Sequence, residues 1–90
     1  MSETMPVISR FYGITIRMFY NDHAPPHFHA VYGEHELAVG IDPVMVLSGN
    51  APKRVQTMVS EWAELRQAEL LDNWYRGRRT DPFSPVDPLP

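Results

Sequence analysis

Three of the chain's four histidines, His23, His27 and His29, fall inside the stretch Asn21-Asp22-His23-Ala24-Pro25-Pro26-His27-Phe28-His29-Ala30. Imidazole changes charge near neutral pH and is the commonest metal-ligating side chain. On a strand, residues two apart share a face, so His27 and His29 can aim two nitrogens at one ion. A path stiffened by Pro25 and Pro26 can deliver His23 as a third ligand. Three neutral nitrogens and an open position make the arrangement of a catalytic zinc, which lowers the pKa of a bound water toward about 7. Asp22 could complete or support that shell. His35 ranks lower, because the strand register places it with the apolar face or at the turn. The same residues also suit a metal-free role as surface histidines beside a rigid turn, hydrogen-bonded to backbone.

A second chemistry needs no ion. Arg10 and Arg17 are expected on the face that carries His27 and His29, which makes His27, His29, Arg17 and Arg10 the candidate catalytic set. Arginine binds phosphate bidentately, and histidine serves as general acid and base near neutral pH. That combination would suit an anion, a nucleotide or an RNA phosphodiester. The plain alternative is a solvated sheet face. No phosphate loop or nucleophile elbow is present, and with no cysteine in the chain neither a thiolate site nor a disulfide is possible.

These residues must be positioned by strands. Met5 to Phe11 is β-rich, Tyr12-Gly13 offers a tight turn, and Ile14 to Tyr20 alternates apolar and polar residues with period two. A two-residue loop pairs Phe11 with Ile14, Ser9 with Ile16 and Val7 with Met18. It sets Arg10 beside Thr15 and Ile8 beside Arg17 on the other face. His27 to Tyr32 and His35 to Ile41 form a hairpin about Gly33-Glu34. Its register pairs Tyr32 with His35, Ala30 with Leu37 and Phe28 with Val39, an apolar set facing the core. His29 and His27 then lie opposite Ala38 and Gly40 on the other face. Asp42-Pro43 ends the fourth strand, and Val44 to Leu47 can form a fifth.

From Pro52 to Trp74 no Gly or Pro intervenes, and Val55, Met58, Val59, Trp62, Leu65 and Leu71 follow helical spacing. A straight helix of that length would run roughly 35 Å, longer than a small sheet needs, so a break near Gln67 or an overhanging end is expected. The fold class is α+β: an antiparallel sheet of four to five strands with a long C-terminal helix on one face. Trp62, Leu70, Leu71 and Trp74 are costly to leave wet. They point to a homodimer or a small protein partner. Residues 5–76 make the single domain. The Pro-rich segment 77–90, with Pro82, Pro85, Pro88 and Pro90, is expected to be a disordered tail or an extended docking strip.

Ninety residues with 43% apolar and 21% charged content describe one small globular domain. A net charge of −3 supplies no general attraction to nucleic acid or anionic membrane, so nucleic acid is not a favoured partner and no membrane partner is expected. No apolar run approaches a membrane span or a signal-peptide core, and a cytoplasmic protein is expected.

The segments Met5-Pro6-Val7-Ile8-Ser9-Arg10-Phe11 and Ile16-Arg17-Met18-Phe19-Tyr20, the motif Asn-Asp-His-x-Pro-Pro-His-Phe-His over residues 21–29, and a helix ending near Asn73-Trp74 are similar to a small bacterial family, the domain of unknown function numbered 4160. The resemblance covers about Met5 to Trp74. It implies a stand-alone bacterial domain with His23, His27 and His29 as signature residues, and it implies no established activity. Genes of such proteins often lie beside another small family, a layout resembling a toxin–antitoxin pair. The residues and the resemblance together lead to a histidine-centred binding or regulatory module, with a divalent transition metal such as zinc as its candidate cofactor. The rival is a small hydrolase or ribonuclease using His23, His27 and His29.

Overall fold

The computed structural model describes residues 6–90. Met5, the expected start of the domain, lies outside the described residues. Five antiparallel strands follow one another in chain order as a meander: β1 (Val7–Phe11), β2 (Ile14–Arg17), β3 (His27–Tyr32), β4 (His35–Ile41) and β5 (Val44–Asn50). Two helices, α1 (Lys53–Leu65) and α2 (Gln67–Arg78), complete the α+β fold. None is long and apolar enough to cross a membrane.

The central hairpin has the register that its apolar pattern dictates: Tyr32 opposes His35, Ala30 opposes Leu37 and Phe28 opposes Val39. Phe28, Ala30, Leu37 and Val39 are all buried, and Phe28 meets Trp62 of α1 edge-on at 5.5 Å between ring centroids. His29 opposite Ala38 and His27 opposite Gly40 therefore take the other side of the pleat.

At the first hairpin the expectation holds only near the turn. Phe11 opposes Ile14, Arg10 opposes Thr15 and Ser9 opposes Ile16, but Val7 opposes Arg17, not Met18. The register slips between Val7 and Ser9. Ile8 is the extra residue, and it turns into the core while Val7 lies exposed. Met18 instead donates its N–H to the Pro6 carbonyl. The bulge buries the larger of two neighbouring apolar side chains, which strict alternation would leave outside.

The long C-terminal helix is two, broken next to Gln67, one of the two expected outcomes. Arg66 leaves the helical conformation (φ −111°, ψ 21°) and separates α1 from α2. A seven-residue strand spans only about 23 Å, so a straight helix would carry Leu70 and Trp74 past the sheet. The turn at Arg66, held where Gln67 donates to the Ile41 carbonyl at 2.7 Å, brings both back into the core. Of the four side chains expected to seek a partner, Trp62, Leu70 and Trp74 are buried within their own chain, while Leu71 is only partly buried.

Of segment 77–90, expected to be a disordered tail or an extended docking strip, Gly77 and Arg78 close α2, and the residues from Asp81 on pack against the domain without forming helix or strand. Val86 is buried and donates its N–H to the Ile8 carbonyl. Trp62 Nε1 donates to the Asp87 carbonyl at 2.8 Å. The buried Asn73 side chain both donates to the Ser84 carbonyl and accepts from the Ser84 N–H, each at 2.8 Å. Proline removes N–H donors from this segment, and the residues between the prolines still supply the carbonyls and N–H groups that buried side chains of the core require.

Candidate metal centre

The site is built where the chain leaves β2 and enters β3. Asn21 adopts a left-handed conformation (φ 55°) that asparagine tolerates better than most residues, and it turns the Asp22 carboxylate back over the sheet. Pro25-Pro26 then leads into β3. Because β3 side chains alternate, His27 and His29 both emerge on the face opposite Phe28.

Asp22, His27 and His29 converge. One ligand atom from each lies within 4.8 Å of the others, so the trio could hold a metal ion. Asp22 Oδ2 is 3.0 Å from His27 Nε2 and 3.6 Å from His29 Nε2. Their side chains are only 15%, 8% and 18% exposed respectively, so water does little to stabilise a charge there.

The outer ring nitrogens settle which atoms face inward. His27 Nδ1 lies 2.7 Å from the Pro25 carbonyl, which can only accept, so Nδ1 carries a proton. His29 Nδ1 faces Glu36 Oε2 at 3.3 Å, and a carboxylate there favours a proton on that nitrogen too. In the neutral rings both Nε2 atoms then present lone pairs toward the Asp22 carboxylate. His29 Nε2 is buried with no hydrogen-bond partner. Three electron-rich atoms aimed at one another repel unless a cation lies between them. Imidazole with its far nitrogen bonded to a carbonyl or carboxylate is the arrangement that supports a metal-bound histidine.

Around the trio the surroundings are aromatic on one side and small on the other. Phe19 meets the His29 ring edge-on, with centroids 4.6 Å apart, and Trp74 of α2 packs against His27 at 5.3 Å. Ala38 and Ser48 border the opposite side of an open cleft that the trio lines. The pairings Arg17–His29, His29–Ala38 and Ala38–Ser48 place these four residues in one row across the sheet.

The remaining candidates separate from this centre. His23 is not in the trio: its side chain is 90% exposed, with Nδ1 3.2 Å from Asp22 Oδ1, and its backbone N–H donates to the same oxygen. Asp22, ranked as a possible supporting ligand, stands in the place foreseen for His23. Arg17 is the register neighbour of His29. Arg10 pairs with Thr15 further along the sheet. His35 is exposed and stacks with Tyr32 at 6.5 Å. Glu36 was not foreseen as part of the site, although the hairpin register contained it: Ala38 opposes His29, and Glu36 is the diagonal neighbour on the same face.

Comparison with curated proteins and with solved structures finds no match. The model of one family, described as a domain of unknown function (DUF4160), matches residues 13–75, a span that includes every residue of the trio, and the chain belongs to that family.

Proposed function

We propose that this chain is a small metal-binding module in which Asp22, His27 and His29 hold a divalent transition metal, zinc foremost, whose remaining coordination positions open to the cleft. The observation that carries the reading is the convergence of two imidazole lone pairs and one carboxylate, with both far ring nitrogens occupied by oxygen partners. The separations of 3.0 and 3.6 Å bracket the roughly 3.3 Å between ligand atoms that each lie 2.0–2.1 Å from a tetrahedral ion. Two nitrogens and an oxygen suit zinc, and also iron, copper or nickel. Through the open positions the ion would take a donor atom from a ligand or partner protein, which is how such a module could act in a two-gene bacterial system.

A proton is the competing occupant, since an imidazolium His27 would bridge Asp22 and Pro25 without any metal. Elemental analysis of the purified protein, with calorimetric titration of zinc, nickel, copper and cobalt at neutral pH, separates the two. One equivalent bound by the native chain and lost in His27→Ala supports the metal. Failure of all four ions to bind removes it.

One observation favours a hydrolytic version of the same centre: Arg17, of a type that binds phosphate bidentately, lies next to His29 in register. Metal-dependent turnover of an RNA or phosphodiester substrate, abolished in His27→Ala, selects the hydrolase. Metal binding without turnover selects the binding module.

A further inference from the structure

We infer that the C-terminal turn of α2 positions the metal centre, with Arg78 as the positioning residue for Asp22; this inference rests on the metal reading above. Asp22 comes from a loop, and a loop carboxylate is free to swing unless its backbone is held. Two long-range hydrogen bonds hold it. Arg78 donates from Nη1 to the Asp22 carbonyl, and the Asn21 N–H donates to the Gly77 carbonyl at 3.2 Å. Adjacent residues of the ligand loop are thus tied to adjacent residues of one helix end.

The same turn also reaches a second ligand. Arg78 and Trp74 lie one helical turn apart, which stacks them on one face of α2. The guanidinium carbon of Arg78 sits 5.9 Å from the centre of the Trp74 ring, and that ring packs on His27. Arg78 therefore touches the loop that carries Asp22 and the indole that covers His27. The third ligand, His29, is held by the sheet.

The missing side chain at residue 77 makes room for the Phe83 ring. A Cβ at Gly77 would stand 2.9 Å from a ring carbon of Phe83 and 3.5 Å from the Phe19 carbonyl. Phe83 in turn stacks on Tyr20, centroids 4.3 Å apart. Arg78 and Gly77 lie just beyond the family match, which ends at residue 75.

The test uses the full-length protein and cobalt(II), whose visible absorption reports the geometry of its ligands. Arg78→Met keeps the apolar stem over Trp74 and removes the donor, whereas Arg78→Lys keeps a donor. Loss of a supporting partner typically costs about 10–100-fold in metal affinity. Arg78→Met is expected to weaken cobalt binding within that range and to alter the cobalt spectrum, while the metal-free protein unfolds near the native temperature. Arg78→Lys is expected to recover much of the affinity. Arg76→Met, which breaks the pair with Asp72 and the bond to the Pro82 carbonyl but touches no residue of the ligand loop, serves as the control and should bind like the native chain. Native affinity and spectrum in Arg78→Met overturn the inference and leave the metal reading standing. So does a loss in Arg78→Met that Arg76→Met shares equally. Should Arg78→Met fail to fold, a native spectrum in Arg78→Gln, whose shorter side chain falls short of the Asp22 carbonyl, overturns the inference in the same way. If the native chain itself takes up no cobalt, the metal reading fails and the positioning role falls with it.

Discussion

Asp22 carries the centre more than any histidine, because one of its oxygens faces both inner imidazole nitrogens. Removing either ring leaves two ligands, and removing the carboxylate leaves two neutral nitrogens with no charge to offset that of the ion. Asp22→Ala, His27→Ala and His29→Ala are each expected to lower zinc affinity at least about a hundredfold by calorimetry, beyond the 10–100-fold typical of a supporting residue. His23→Ala is expected to stay within a few-fold of the native value. A collapse of binding in His23→Ala would restore the ligand set read from spacing alone. Imidazole ligates only as the neutral base, so affinity should fall steeply below about pH 6; a titration flat from pH 7 to 5 would contradict histidine ligation. At this scale the spacing of residues 21–29 was enough to bring His27 and His29 together in the converging trio. It put His23 where the structure has Asp22, because spacing does not encode which way a loop side chain turns. Asp22 points in and His23 points out, just after Asn21, whose φ is 55°.

The strands that hold these residues depend on close contacts that no periodicity reveals. Gly49 of β5 has φ 92°, and a Cβ there would stand 2.0 Å from the Glu36 carbonyl oxygen. Backbone faces it, so no flexible side chain can move aside. Gly49→Ala must either strain a left-handed residue or push β5 away from β4, at a cost on the order of 1–3 kcal/mol or more. Urea unfolding should show that loss as a lower midpoint. Glu36 also faces His29 across 3.3 Å, so the same substitution is expected to weaken metal binding by displacing the support of that ring. An unchanged midpoint would mean that β5 adjusts freely. The β3–β4 register was readable because both faces of that hairpin are chemically distinct along its whole length. The β1–β2 register was readable only near its turn, because a bulge at Ile8 obeys core volume rather than alternation. The helix break at Arg66 followed from length alone: no residue type marks it, and the sheet is simply too short.

Across the whole molecule, the segment that composition marks as loose closes the core. Proline content argued for disorder because proline cannot join helix or sheet ladders. That reasoning omits the single hydrogen bonds a buried side chain can demand. Trp62 is fully buried and, among the described residues, its Nε1 is satisfied by the Asp87 carbonyl, while Asn73, also fully buried, is satisfied by Ser84. Leaving a buried polar group unpaired costs about 1–3 kcal/mol, and exposing an apolar side chain such as Val86 costs about 1.5–3 kcal/mol. Deleting residues 82–90 orphans both polar groups and uncovers Val86's neighbours, for an expected loss of roughly 3–6 kcal/mol once water reaches part of the opened surface. A small domain has only about 5–15 kcal/mol in hand, so the truncated chain should be marginal. Thermal unfolding followed by tryptophan fluorescence measures this directly. The midpoint should fall by 10 °C or more, at about 4–8 °C per kcal/mol for a domain of this size, with the emission of Trp62 shifted toward that of a wet indole before melting. Asn73→Ala in the full chain separates the two contributions. It removes the Ser84 pairing and leaves the Trp62–Asp87 bond, so it should cost a fraction of the full loss. A truncated protein that melts with the native one would mean that the segment rests on the domain without stabilising it, and that Trp62 and Asn73 find water as readily as backbone.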